Sequence, residues 1–235
     1  MKNKTAYITG GSKGIGLGIA EALLREGVKV AISSRNKDQG MTAMKRITDN
    51  SDAYLVIESD VTDYASEQAA IKKVIDTWGT LDYVIANAGV GVFAPIDELA
   101  PEDWNHTIAT NLTGVFNTVK AAIPELKKSK GYIVTIASLA GTNFFAKGAA
   151  YNASKFGLVG FSQAIMLDLR PYDVKVTTIM PGSVATHFNG NTPDASDSWK
   201  IQPEDIGQLV TDLLKMPART LPSKIEVRPS KTSNS

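Results

Sequence analysis

The chain has 235 residues, 43% of them hydrophobic and 21% charged, with a formal net charge of +1 and no cysteine. A soluble chain of this size buries a large core without staples, and the missing cysteines exclude disulfides and thiolate-bound metals. The near-neutral charge excludes nucleic acid as the main partner, and the opening MKNKTAYITGGSKG is broken by glycine too early for a signal-peptide core or a membrane span. A protein of the reducing cytoplasm, enzyme or binding protein, is expected.

In chain order, short β-rich runs alternate with segments of helical period. The runs are residues 5–9, 28–33, 53–58, 81–86, 131–137, 174–180 and 223–229. Taken together they are short apolar runs rich in Val, Ile and Leu, the pattern of parallel strands buried on both faces. Between them, residues 15–27 end at Gly27 as a C-cap, and 62–79 open at Thr62 or Asp63 and close at Gly79. The stretches PEDW and QPEDI place Pro101 and Pro203 at a first helical position with acids in the first turn. This alternation predicts an α/β fold: a Rossmann-type, doubly wound, seven-stranded parallel sheet with helices on both faces, formed by residues 1–235 as one domain. Residues 183–201 break the rhythm and read as a long irregular loop, a lid or binding loop. Residues 230–235 read as a frayed tail.

The first strand runs into YITGGSKGIGLGIA. Gly10, Gly14 and Gly16 have the spacing G-x-x-x-G-x-G, a wider variant of the dinucleotide fingerprint. Such a loop turns sharply, lets backbone approach a pyrophosphate and aims free helical N–H groups at it. Ser12, Lys13 and Ile15 in the same loop are further candidate contacts. An acid after the second strand would hold the ribose hydroxyls of NAD. Here Ser34 stands in that place and Arg35 follows. No carboxylate repels a 2′-phosphate there, and a guanidinium can bind it. Lys13 can approach the same group, so the pattern favours NADP(H). Ligands of such sheets bind beyond the carboxyl ends of the strands. That rule adds Asp60 and Val61 after strand three, with Asp60 a partner for an adenine amine or simply a turn residue. It also adds Asn87, Ala88 and Gly89 after strand four, and Pro181, Gly182, Val184 and Thr186 after strand six.

The stretch AAYNASKFG places Tyr151 and Lys155 one helical turn apart, where side chains are neighbours about 5–6 Å apart at Cβ. An ammonium there can lower the pKa of a phenol, ordinarily about 10. The glycine loop, NAG at 87–89, Ser138 in TIASLAG, YNASK and PGSVAT occur in this order. Together they make the chain resemble the short-chain dehydrogenase/reductase family over roughly residues 4–229. Ser138 stands thirteen residues before Tyr151, as the family pattern asks. The resemblance implies a catalytic set of Asn111, Ser138, Tyr151 and Lys155. Tyr151 would be the acid–base, Ser138 would hydrogen-bond the reacting oxygen, and Lys155 would tune the phenol and bind the nicotinamide ribose. Asn111, on a predicted long helix, would hold a water behind the lysine or, as a buried amide, bond a backbone group.

The expected activity is NADPH-dependent reduction of a carbonyl to an alcohol, on a ketone, an aldehyde or a 3-oxoacyl thioester. The stretch from QPEDI to IEVRP is similar to that of sepiapterin-reductase-like members, which keeps a small dicarbonyl open as substrate. A catalytically idle NADP(H)-binding sensor or scaffold is the alternative. The resemblance also implies a homodimer or homotetramer packed through the helices carrying Asn111 and Tyr151. Other residues receive structural readings. His106 and His187 lack partners at metal spacing. Met41, Met44, Trp78 and Trp104 read as packing. Trp199 reads as either loop packing or a cover over substrate, and Phe144 and Phe145 as a possible apolar pocket wall.

Overall fold

Strands that are apolar on both faces are stable only between two layers of helices. The computed structural model, which describes residues 1–232, arranges them so. The strands are β1 (Thr5–Thr9), β2 (Lys29–Ser34), β3 (Tyr54–Glu58), β4 (Tyr83–Ala86), β5 (Tyr132–Ile136), β6 (Lys175–Pro181) and β7 (Lys224–Val227). Their order is β3-β2-β1-β4-β5-β6-β7 and every pairing is parallel. The predicted strands are all present, and their ends move by a residue or two.

The helices are α1 (Gly14–Arg25), α2 (Lys37–Ile47), α3 (Tyr64–Trp78), α4 (Pro101–Ile108), α5 (Gly114–Ser129), α6 (Ala149–Leu169) and α7 (Pro203–Leu214). Alternate strand residues feed the two layers, as the two-residue side-chain period requires. Tyr7, Val84, Ile133 and Val176 pack with Val74, Val119, Leu126 and Leu158 of α3, α5 and α6. Ile8, Ile85, Val134 and Ile179 pack with Ile19, Leu23, Met44, Ile206 and Val210 of α1, α2 and α7.

The predicted punctuation is used. Asp63 caps α3 by accepting from the Ala65 N–H at 2.9 Å, and Gly79 ends it in the left-handed conformation at φ 77°. Pro101 and Pro203 open α4 and α7, and Asp205 closes a capping box by accepting from the Gln202 N–H at 2.8 Å. Two readings need correction. The long helix from Pro101 to Ser129 is not uniform: residues Ala109–Thr113 form a wide π-helical turn. Trp104 does not pack at a helix end but lies inside α4, 38% exposed. Met44 and Trp78 do pack against the core.

The 183–201 stretch is irregular, and its neck is pinned. Val184 and Ile201 form a parallel bridge, with hydrogen bonds from Ala185 N to Ile201 O (2.9 Å) and from Ile201 N to Ser183 O (3.1 Å). Two short turns, Phe188–Gly190 and Ala195–Trp199, lie within it. Of the predicted tail, residues 233–235 lie outside the described residues. Among the described residues no helix is long and apolar enough to cross a membrane. No group of three or more His, Cys, Asp or Glu among them is placed to hold a metal.

Candidate active site

The strand order reverses between β1 and β4, and the ends of these two strands are sewn together. Thr9 Oγ1 accepts from the N–H groups of Asn87 (3.0 Å) and Ala88 (3.1 Å). Asn87 Nδ2 donates back to the carbonyls of Thr9 (2.9 Å) and Gly10 (3.2 Å). Gly10 and Gly14 have φ of 66° and 55°, a region costly for residues with a Cβ. The turn they make brings in α1 with no side chain capping its first turn and no acid there. That helix end therefore presents N–H groups suited to an anion. Gly16 has a packing task in the loop. It does not line the cavity; a Cβ there would lie 2.6 Å from Gly10 O and from Asn87 Nδ2, so its lack of a side chain lets α1 seat against the loop.

One open cavity of about 1180 Å³ runs along the carboxyl ends of the strands. Gly10, Ser12, Lys13, Gly14 and Ile15 line it from the glycine loop, and Ser34 and Arg35 from the end of β2. Arg35 is exposed and makes no ion pair among the described residues. Asp60 and Val61 line the cavity after β3, and Asn87, Ala88 and Gly89 after β4. Asp60 is also a turn residue: its Oδ1 accepts from Thr62 N (2.9 Å) and Thr62 Oγ1 (2.8 Å). Those bonds, with a smaller contribution from the Arg35 charge, hold its carboxyl below the usual range. Pro181, Gly182, Val184 and Thr186 complete this wall after β6.

At the other end lie Ser138, Tyr151 and Lys155. Ser138 leaves β5 in extended conformation, and its Oγ accepts from Ala140 N at 3.1 Å. Tyr151 and Lys155 project from the first and second turns of α6. Lys155 is buried, its Nζ donates to Ile136 O at 3.0 Å, and it lies 5.7 Å from the centre of the Tyr151 ring. Burial alone lowers its pKa to about 8. The Tyr151 phenol moves opposite to the sequence expectation. Burial raises its pKa, and the lowering effect of the Ser138 hydroxyl is smaller. Desolvation of the phenolate outweighs its neighbours here.

Asn111 is not on the cavity wall. The wide turn after α4 points its fully buried amide inward. Oδ1 accepts from Val90 N (2.8 Å), while Nδ2 donates to Val90 O (2.8 Å) and Ser154 Oγ (3.1 Å). Ser154 Oγ in turn donates to Tyr151 O at 2.8 Å. Asn111 therefore ties the chain after β4 to the helix that carries Tyr151, as the buried-amide reading has it.

Aromatic rings surround the phenol. Phe93 meets the Tyr151 ring edge-on at 5.4 Å between centres, Phe188 lies 5.7 Å from it, and Phe145 lies 5.7 Å from Phe93. Phe144, Phe145, Phe188 and Trp199 line the cavity. Phe93 and Phe188 went unrecognised in the sequence; their only signals were positions just after NAG and inside the irregular loop. His187, set aside there, also lines the cavity. His106 is exposed on α4, near enough for its charge to act on Asp60.

Comparison with known proteins agrees with this geometry. The short chain dehydrogenase family model matches residues 4–197. An uncharacterised oxidoreductase of Staphylococcus saprophyticus is 33% identical, covering 97% of this chain and 98% of its own. The trans-4-hydroxycyclohexanecarboxylate dehydrogenase of Sinomonas cyclohexanicum is 35% identical over 79% of this chain and 74% of its own. Among solved structures, an alcohol dehydrogenase from Thermococcus sibiricus complexed with 5-hydroxy-NADP superposes with a TM-score of 0.90 at 29% identity, covering 97% of each chain. A metagenomic short-chain oxidoreductase in complex with NADP superposes at 0.86 with 30% identity, covering 98% of this chain and 99% of that one. The chain is an oxidoreductase and belongs to the short-chain dehydrogenase family.

Proposed function

We propose that the protein is an NADPH-dependent carbonyl reductase in which Tyr151 is the general acid. The observation that carries this reading is the single cavity that joins an uncapped, glycine-lined helix end to Ser138, Tyr151 and Lys155. The residues fit a dinucleotide. Gly10, Ser12, Gly14 and Ile15 offer backbone to a pyrophosphate. Arg35, Lys13 and Ser34 suit a 2′-phosphate. Asp60 and Val61 would border the adenine, and Asn87, Ala88 and Gly89 a ribose. Lys155 would hold the nicotinamide ribose, and Pro181, Gly182, Val184 and Thr186 the carboxamide. The complexes with NADP and 5-hydroxy-NADP among the similar structures support this assignment.

When bound, NADPH supplies a hydride to the carbonyl carbon. The chain's own residues supply the rest. Tyr151 gives its proton to the carbonyl oxygen, so that C=O, hydride and proton together make the alcohol. Ser138 donates a hydrogen bond to the same oxygen as negative charge develops there. The Lys155 ammonium then faces the phenolate. A buried phenol with a raised pKa is protonated at neutral pH, and a lysine titrating at about 8 is mostly charged there; both states suit reduction. Asn111, through Val90 and Ser154, holds the two sides of the site in register, and we assign it the relay water that the family resemblance implies. We also assign a cytoplasmic location and a homodimer or homotetramer. The half-exposed Phe116 on α5 and Phe156 on α6 support pairing through those helices.

The test is NADPH oxidation, followed by absorbance, with the purified protein and a panel of ketones, diketones and 3-oxoacyl thioesters. Turnover of at least one carbonyl is expected. Tight NADPH binding with no turnover of any carbonyl would leave the idle-sensor reading instead.

A further inference from the structure

We infer that the carbonyl end of the cavity is a clamp for a ring-bearing, uncharged substrate: an aryl ketone or aryl diketone, not a short aliphatic ketone or a carrier-linked thioester. The inference rests on the carbonyl-reductase reading and names its substrate class.

Three rings from three separate segments gather at Tyr151: Phe93 and Phe188 meet its ring directly, and Phe145 stands behind Phe93. Phe93 comes from the chain after β4, Phe145 from the chain before α6, and Phe188 from the loop after β6. No local sequence pattern forces this convergence. Their centres are 5.4 to 5.7 Å apart, in edge-on or tilted pairs, the geometry in which one more aromatic ring is received favourably. The rings are left partly in water, with Phe93 36% and Phe145 48% exposed. Apolar surface gathered around a polar centre gains free energy when an apolar ligand covers it.

A second observation comes from Gly91. A Cβ there would lie 2.6 Å from the Phe188 ring and 3.0 Å from the Phe93 ring. Glycine at 91 therefore makes the room in which both rings close on the phenol. On the rim, Lys200 is paired with Asp197 at 2.6 Å and Arg228 with Glu226 at 2.9 Å, while Lys231 also lines the cavity; the aromatic lining, not the rim charge, carries the preference.

The test uses matched diketones, 1-phenyl-1,2-propanedione against 2,3-pentanedione, which differ in a phenyl for an ethyl group. The expected kcat/KM ratio in favour of the phenyl compound is on the order of 100-fold. Phe188→Ala, a substitution in an exposed loop, lowers that ratio about tenfold, and Gly91→Ala lowers it by displacing the rings. A ratio below about 3 in the wild type, or one unchanged in both variants, overturns the inference. A binding arm separates this result from the fate of the reaction. Saturation-transfer NMR of 1-phenylethanol against 2-butanol, with NADP present, should show at least about tenfold tighter binding of the aryl alcohol, lost in Phe188→Ala. Equal binding overturns the clamp even if carbonyls are reduced. Selective aryl binding without any turnover supports the clamp and refutes the carbonyl-reductase reading alone.

Discussion

The two ends of the cavity are built by different means. The dinucleotide end is made of strand ends and main chain: Thr9, Gly10, Asn87 and Ala88 are sewn across the switch point by four hydrogen bonds of 2.9–3.2 Å. The carbonyl end is made of side chains on connecting segments, with Phe93 and Phe188 against the Tyr151 ring and Phe145 against Phe93. The first end presents main-chain groups and glycines. The second presents side chains and apolar surface. Lys155 belongs to both: it lies beside Tyr151, and a Cβ at Gly89 would lie 3.7 Å from its Nζ.

The comparison breaks most visibly at Arg35. Arg35→Asp replaces a guanidinium with a carboxylate where a 2′-phosphate is expected, and should weaken NADPH about 100-fold. NADH binding and the aryl selectivity should change little. The check is the Kd of each cofactor by fluorescence titration, and equal losses for both would place the 2′-phosphate elsewhere.

The shared residue gives the next test. Lys155 has a lowered pKa of about 8, so its charge is present below that pH and lost above it. Reduction should therefore fall about tenfold per pH unit as pH rises past 8. Lys155→Arg keeps the charge at all accessible pH, and although slower it should lose this alkaline limb. A limb of the same position in both proteins would assign it to another group.

The smallest effect concerns support beneath the dinucleotide end. Glu67 is fully buried. Its Oε1 accepts from Tyr7 (2.9 Å) and Ser59 (2.7 Å), and Oε2 accepts from Thr118 (2.8 Å). Burial raises its pKa despite those bonds. A raised carboxyl pKa means that the folded state holds the proton more tightly than the unfolded chain. The stability it contributes is full below the unfolded value of about 4.3 and declines as pH rises through the folded value. Glu67→Gln stays neutral, so its stability relative to wild type should grow as pH rises above the unfolded carboxyl value. Thermal denaturation across that range reads the effect, and a difference independent of pH would deny that Glu67 titrates there.

The same contrast decides what could be read from the sequence. The sheet was legible because apolar runs and helical periods are local. The glycine loop was legible because its φ values demand glycine at Gly10 and Gly14. Tyr151 and Lys155 were legible from a one-turn spacing. The wide turn at Ala109–Thr113 was not, because a single loosened turn leaves the helical pattern on either side intact. The tight packing of Gly16 against Asn87 and Gly10 was not legible from spacing. The direction of the Tyr151 shift depends on burial, which spacing does not report. Phe93, Phe188 and Glu67 find their partners only through tertiary contacts: between segments far apart in the chain.

The most direct measurement is single-turnover reduction by Tyr151→Phe, with NADPH affinity measured on the same sample. Removing one hydroxyl leaves the ring between Phe93 and Phe188 and deletes only the proton donor. Turnover should fall by at least about 1,000-fold, while the Kd for NADPH stays within about threefold of wild type. Retained turnover in Tyr151→Phe would contradict the assignment of Tyr151 as the acid, and with it the proposed chemistry of the site.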